Sequence, residues 1–265
     1  MRRSSNTNYF SQIFVIAKNA FREAVRDRIL YNLVVFVLLL TGAAIFLGEL
    51  TAGQEVRTII NLGLNAILLF GAFIAIFVGV GLVSKEIEKR TVYAIFAKPV
   101  TRPQFLIGKY LGLCLTLLVN TAVMGIGVTL ALLYVGGGDR LASVWAAVFF
   151  VFLELCVLTA VAITFSSFST PALSALFTFF IFVIGHFSSS LREFAAALGS
   201  AGAKAVFGTI YYVMPNLSLY GFRTQAAYGL LPDAAAVAAI TGYTIVYIAI
   251  LLSIANFIFS RRNFK

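Results

Sequence analysis

The sequence has few charged residues: 11% of its 265 residues are Asp, Glu, Lys or Arg, whereas 61% are hydrophobic. Soluble domains carry about 25% charged and about 45–50% apolar residues. So few charges do not cover a water-facing surface, which excludes a soluble globular enzyme and a disordered tail. The composition predicts a membrane protein with room for about six transmembrane helices of about 20 residues each, and no large soluble domain.

Residues that perform catalysis or bind metals are also scarce. The sequence has one histidine, His186, and two cysteines, Cys114 and Cys156, that lie inside apolar runs. They form neither a metal-binding pair nor a disulfide framework. No phosphate-binding G-x-x-x-x-G-K-[ST] loop occurs. We therefore expect no catalytic residue, metal or cofactor in this chain, and we expect His186 to make local hydrogen bonds.

The apolar residues are concentrated in six runs, each long enough to cross about 30 Å of hydrocarbon as a helix. The runs cover residues 30–47, 59–83, 110–135, 144–165, 171–187 and 234–259. They are apolar all round, with no period of two, which favours helices over a barrel. The predicted fold class is therefore an all-α polytopic membrane protein, with residues 1–265 forming a single transmembrane domain.

Two helix starts are visible in the sequence. Thr170 precedes Pro171 and offers a capping hydroxyl at the start of the fifth run. The pattern Thr101-x-x-Gln104 is typical of a capping box at the start of the helix that contains the third run.

The basic residues predict the orientation. Fifteen Lys and Arg residues lie in the N-terminal segment, in the segment between runs two and three, and at the C-terminus, whereas five lie in the rest of the chain. Because cytoplasmic loops are enriched in Lys and Arg, both termini are expected in the cytoplasm. The net charge of +10 then marks orientation and needs no nucleic-acid partner.

Two segments outside the runs have patterns of their own. Residues 9–28 form a predicted amphipathic helix that lies in the membrane plane, with Lys18, Arg22 and Arg26 facing anionic lipid headgroups. Residues 188–231 are predicted to be extracytoplasmic. Within them residues 205–222 are nearly long enough for a seventh span, but Pro215 and its neighbour interrupt the run. Short interfacial or re-entrant helices are the preferred interpretation.

Residues 84–109 are more charged than a simple connector requires. Ser84 is placed to cap a short helix with Glu86 and Glu88 in its first turn, and Lys98-Pro99 is placed to end it. A solvated linker is the alternative, but the specific residue types favour a cytoplasmic docking surface.

Residues 21–36 (FREAVRDRILYNLVVF) and 85–112 (KEIEKRTVYAIFAKPVTRPQFLIGKYLG) resemble permease subunits of ABC-2 type ABC transporters. The resemblance implies a multi-pass permease of the bacterial inner membrane that exports a cargo it does not identify. It also implies a second, identical or homologous permease copy and a pair of separate ATPase subunits that hold ATP and Mg²⁺. The coupling contact with the ATPase would then involve residues of the 84–109 segment: Glu86, Glu88, Arg90, Thr91, Lys98 and Pro99.

Glu154 is the exceptional residue of the predicted spans because it places a carboxyl near the middle of the fourth run. An ionised, unpaired carboxylate there costs roughly 2.5–3.5 kcal/mol on insertion scales. It is either a residue of the translocation pathway or a neutral carboxyl bonded to a neighbouring helix. A secondary transporter or channel without an ATPase remains the alternative function, since such proteins place ion-binding groups and broken helices within the membrane.

Small and amide residues within the runs predict helix packing. Gly71, Ala75 and Gly79 recur every four residues and allow close helix approach, either within the subunit or at a dimer seam. Asn61, Asn65 and Asn120 are interpreted as packing residues.

Overall fold

The structure, a computed structural model, is all-helical. It describes residues 4–24, 35–36, 39, 42–43, 46, 53–88, 101–187, 202, 208–209 and 214–261, without the side chains of residues 4–10 and 82–88. No strand occurs among these residues. The helices are α1 (Ser4–Ala24), α2 (Glu55–Glu88), α3 (Arg102–Tyr134), α4 (Leu141–Ser166), α5 (Pro171–His186), α6 (Arg223–Ala227) and α7 (Ala234–Arg261). Short 3-10 turns cover Gly138–Arg140 and Leu217–Tyr220.

Within the described part of the chain, four helices are long and apolar enough to cross a membrane. They comprise Glu55–Gly81, Arg102–Tyr134, Gly138–Ser166 and Ala234–Arg261, and they contain most of the runs predicted at 59–83, 110–135, 144–165 and 234–259. The apolar helix α5, at 16 residues, is shorter. The predicted span at 30–47 lies largely outside the described residues, so the count of six spans and the orientation stay predictions.

Helix α4 is the centre of the described bundle. It contacts α2, α3, α5, α6 and α7, and most of its side chains are buried. A Cβ on Gly71 of α2 would overlap the side chain of Leu155 on α4, and a Cβ on Gly79 would lie 3.2 Å from that of Ala162. Both glycines therefore bring α2 against α4 within one subunit, which resolves the choice that the sequence left open for them.

Helix α1 packs closely against the first half of α3. A Cβ on Gly112 of α3 would lie 2.5 Å from the carbonyl oxygen of Ala17 and 2.6 Å from the Cβ of Ala20. Lys109, buried in α3, pairs with Glu23 at 3.1 Å. The two helices are thus joined by backbone approach and by an ion pair.

The observed helix ends agree in part with those predicted from the sequence. The amide of Thr101 donates to Oε1 of Gln104 at 2.7 Å, which confirms the capping box before α3. Helix α5 begins at Pro171, but the Thr170 hydroxyl makes no capping bond. Ser84 does not start a new helix, because α2 continues through it to Glu88. No glycine or proline occurs between Gly81 and Pro99, so nothing in that stretch of sequence stops α2 at Ser84.

Candidate functional site

Glu154 lies in the middle of α4 and is fully buried. Its two carboxyl oxygens face different partners. Oε1 lies 3.1 Å from Nε2 of His186, and Oε2 lies 3.5 Å from Nη1 of Arg223. A buried carboxyl thus faces a helix, α5, and the start of a second one, α6. We call Glu154, His186 and Arg223 the ionic cluster.

His186 occupies the last position of α5 and is largely buried. Its Nδ1 lies 3.0 Å from the carbonyl oxygen of Phe182, one turn earlier. Because a carbonyl oxygen only accepts hydrogen bonds, Nδ1 carries a proton and donates it. The expected local hydrogen bond is therefore present, and the other ring nitrogen is directed at Glu154.

Arg223 is the first residue of α6, which follows the 3-10 turn Leu217–Tyr220. Its side chain is 14% exposed, and it reaches Glu154 from a segment that the sequence analysis assigned to the outer face. The hydroxyl of Ser143, near the start of α4, donates to the carbonyl oxygen of Ala226 at 2.9 Å. The rings of Phe222 and Phe150 lie 5.6 Å apart. These contacts hold α6 along the first half of α4, so that the arginine extends toward the helix midpoint.

The chain before α6, residues 214–222, is fixed between α5 and α7. The backbone amide of Asn216 donates to the Tyr243 hydroxyl at 3.0 Å. The Tyr220 hydroxyl lies 2.7 Å from Oγ1 of Thr244. A Cβ on Gly185, the neighbour of His186, would lie 2.7 Å from Cγ of Leu217. We call residues 214–227 the inserted segment, because it packs against α4 and α5 and hydrogen-bonds to α7.

Burial keeps Tyr220 in its neutral form. Desolvation raises its pKa above the ordinary value of a tyrosine, and the hydrogen bond with Thr244 lowers the pKa by a smaller amount. The phenol therefore contributes a neutral hydrogen-bonding group beside the ionic cluster.

Glu154 was predicted from the sequence as a candidate, but its partners were not. His186 is 32 positions and Arg223 is 69 positions further along the chain, and no periodicity connects such distant residues. The available signal was an arginine in a short, largely apolar stretch directly after Pro215-Asn216, where a re-entrant path was already preferred. The structure describes short helices at Leu217–Tyr220 and Arg223–Ala227. Apart from residues 208–209, residues 205–213 lie outside the described part.

A second set of polar contacts joins α3 to α7. Nη1 of Arg102, the first residue of α3, donates to the carbonyl oxygens of Phe259 at 3.0 Å and Ser260 at 2.6 Å. The last carbonyls of a helix have no partner within the helix, and a cation there is favoured by the helix dipole. Arg102 therefore caps the C-terminal end of α7. Together with the pair formed by Lys109 and Glu23, this gives α1, α3 and α7 a common junction.

The residues predicted to contact an ATPase are only partly described. The backbones of Glu86 and Glu88 belong to the end of α2. The other four, namely Arg90, Thr91, Lys98 and Pro99, lie outside the described residues. On α1, Lys18 and Arg22 are exposed, and Arg26 lies outside the described residues. Phe14 is exposed too, so this helix presents apolar and basic side chains together.

The remaining polar candidates are dispersed. Nδ2 of Asn65 donates to the carbonyl oxygen of Asn61 at 2.8 Å, which is a bond within α2 rather than across helices. Asn120 is buried in α3. Cys114 and Cys156 are free and buried. Within the part of the chain that the structure describes, no group of three His, Cys, Asp or Glu residues lies close enough to hold a metal ion.

Comparison with protein families gives one match that covers nearly the whole chain. The model described as "ABC-2 family transporter protein" matches residues 14–264. The chain belongs to the ABC-2 transporter family. This ABC-2 protein is accordingly a membrane-embedded permease of an ABC-type transporter rather than an enzyme itself. No curated protein matches the chain. An ABC ATPase is the general partner that this ABC-2 membership implies.

Proposed function

We propose that this ABC-2 permease forms the translocation path of an exporter whose ATP is hydrolysed on a separate ATPase subunit. Two permease copies and two ATPase subunits make up the proposed complex in a bacterial inner membrane. The absence of a phosphate-binding loop from the sequence supports this division of labour, since the energy source must then lie on another chain.

The observation that carries the coupling mechanism is the junction at the start of α3. The predicted coupling segment, residues 84–109, ends within the first turns of this helix. Arg102 binds the end of α7 there, and Gly112 brings α1 into backbone contact. A displacement of the coupling segment would thus act on α1, α3 and α7 together, rather than on a single helix.

The proposed cycle is alternating access. Nucleotide binding closes the ATPase pair, the coupling segment moves with it, and the spans rearrange around a central path. A ligand shifts a conformational equilibrium only through its different affinity for the two states. The nucleotide state of the ATPase must therefore reach the spans through contacts that differ between the two states. The junction of α1, α3 and α7 connects the coupling segment to these helices.

Co-purification tests this function. A tagged copy extracted in mild detergent is expected to retain a chain that carries a phosphate-binding loop. Repeated purification without any such chain, under conditions that preserve the membrane complex, would contradict the proposed function.

A charge-reversal variant tests the docking residues separately. The triple variant Glu86→Lys, Glu88→Lys and Arg90→Glu should insert normally and lose the ATPase. Glu55→Lys, at the opposite end of α2, is the matched control and should retain it. A triple variant that co-purifies the ATPase at wild-type yield would remove these residues from the docking surface.

Glu154 gives the alternative function its specific support. A buried carboxyl with a histidine and an arginine is a feature that secondary transporters place within the membrane. A secondary transporter would move its cargo in vesicles without nucleotide, driven by an ion gradient. An exporter of the proposed kind would require ATP and the ATPase subunit in the same vesicles. Under the main proposal, Glu154 lines the translocation path or controls access to it.

A further inference from the structure

The contact between Glu154 and His186 is unfavourable when both groups have their ordinary protonation states, an ionised carboxylate and a neutral imidazole. Nδ1 of the imidazole uses its proton on the Phe182 carbonyl. In a neutral ring, the other nitrogen, Nε2, then carries a lone pair and no proton. An ionised carboxylate has only acceptor positions. At 3.1 Å, two acceptors would face each other inside the protein.

We propose that Glu154 and His186 together bind one additional proton, and that this proton joins α4 to α5. With the proton on either group, the short contact becomes a hydrogen bond, either from Nε2 to a carboxylate oxygen or from a carboxylic acid to Nε2. Without it, the two lone pairs repel. The structure thus assigns a proton-binding site to the pair, whether or not an ATPase drives the transporter.

Because the contact is buried, loss of the proton is energetically unfavourable. Although the His186 side chain is 24% exposed, the two facing atoms, Oε1 of Glu154 and Nε2 of His186, are both buried, so water does not separate the two acceptors. A buried acceptor without a donor has lost its hydrogen bonds to water and gained none in the protein, which is unfavourable. The protonated pair has no net charge, whereas the deprotonated pair carries one negative charge, which among the described residues Arg223, at 3.5 Å, offsets.

The other ionisable groups around the pair do not replace this proton. Among the described residues, Arg223 on α6 and Tyr220 on the 3-10 turn lie near the pair, and Tyr243 on α7 and Cys156 on α4 itself lie near Tyr220. The Tyr220 hydroxyl is engaged with Thr244, and the Tyr243 hydroxyl accepts from the amide of Asn216. Arg223 faces the carboxyl oxygen that His186 does not.

Release of the proton has a structural consequence. The end of α5 packs against the inserted segment through Gly185 and Leu217, one residue away from His186. Repulsion between Glu154 and His186 would therefore loosen α5 from α4 at the place where the inserted segment is held. Proton binding closes this part of the bundle, and proton release opens it.

The single histidine in the sequence makes the test specific. The full-length protein is labelled with ¹⁵N-histidine, placed in lipid nanodiscs and titrated by NMR from about pH 5 to about pH 8, where histidine charge changes occur. The expected spectrum shows Nδ1 protonated throughout. The Nε2 signal is expected to be that of a hydrogen-bonded nitrogen at low pH, and to shift to that of a bare nitrogen as the proton leaves.

Glu154→Gln keeps the contact with His186 but removes the carboxyl group that shares the additional proton. Its amide donates to the bare Nε2 without any titrating proton, so the hydrogen-bonded signal should persist and lose its pH dependence. Asp139→Asn, in the exposed ion pair with Arg140, is the matched control and should leave the titration unchanged.

Hydrogen exchange of the last turn of α5 provides the second readout. In the wild type, protection should fall at least several-fold as the proton leaves, and in Glu154→Gln it should stay constant. Either of two results would overturn the proposal: a neutral ring with its proton on Nε2 and none on Nδ1, or a titration that Glu154→Gln leaves unchanged.

Discussion

Replacing Arg223 by methionine tests whether the ionic cluster stabilises the fold. Methionine keeps the length and apolar body of the side chain but removes the charge. At 3.5 Å and an effective dielectric constant of about 20, the Coulomb energy between the two charges is about 5 kcal/mol. Part of this is offset by desolvation. At a pH where Glu154 and His186 have released their additional proton, however, removing Arg223 leaves an ionised, buried carboxylate without a countercharge, which costs about 3–5 kcal/mol. Because the contact is long, we expect Arg223→Met to lower the free energy of unfolding by about 3 kcal/mol.

A double-mutant cycle isolates the interaction. Glu154→Gln removes the negative charge, so the loss caused by Arg223→Met should be smaller in that background, with a coupling energy of about 1–3 kcal/mol. The assay is titration of the purified protein with a denaturing detergent, followed by circular dichroism. Arg140→Met breaks the exposed pair with Asp139 and should cost less than about 1 kcal/mol. If the effects of the Arg223 and Glu154 variants add to within about 0.5 kcal/mol, the two residues do not interact as argued.

Three further predictions concern other contacts. Gly112→Ala places a Cβ against the backbone of α1 and should lower the free energy of unfolding by about 1–3 kcal/mol; Gly242→Ala, which meets nothing within 4 Å, should not lower it in the same titration. Arg102→Gln should expose the amides of the last turn of α7 to faster hydrogen exchange, since hydrogen bonds to charged groups contribute about 1.5–3 kcal/mol; unchanged exchange would contradict the capping role. Glu154→Gln should preserve assembly but change cargo-stimulated ATPase activity in a reconstituted complex, and unchanged activity would remove Glu154 from the mechanism.

The sequence predicted the features that depend on local pattern. Four of the apolar runs appear as long helices because composition alone makes them too apolar for water and too long for loops. The capping box at Thr101 and Gln104 was visible because its two residues lie three positions apart. The prediction that a short helix begins at Ser84 was wrong, because α2 continues through this residue. A residue that can cap a helix marks a helix start only where the preceding helix has ended.

The features that the sequence did not provide depend on contacts between distant parts of the chain. Gly71 and Gly79 indicated close helix approach, but only the fold identified α4 as their partner. Glu154 indicated a buried charge, but its partners come from the end of α5 and from the inserted segment. A short break such as Pro215-Asn216 shows where a helix cannot continue, and it does not show that the chain returns between other helices.

Helix α7 links the two sets of polar contacts. Thr244, in its first half, meets Tyr220 of the inserted segment, and Ser260, in its last turn, accepts from Arg102 at the start of α3. The two positions are 16 residues apart, about 24 Å along a helix. Helix α7 makes most of its other contacts with α4. A shift of α7 along its axis would therefore change its contact with Tyr220 and its contact with Arg102 at the same time. We therefore expect a displacement that begins beside the coupling segment to reach the inserted segment, and with it the partners of Glu154, through α7 rather than through the buried centre of α4.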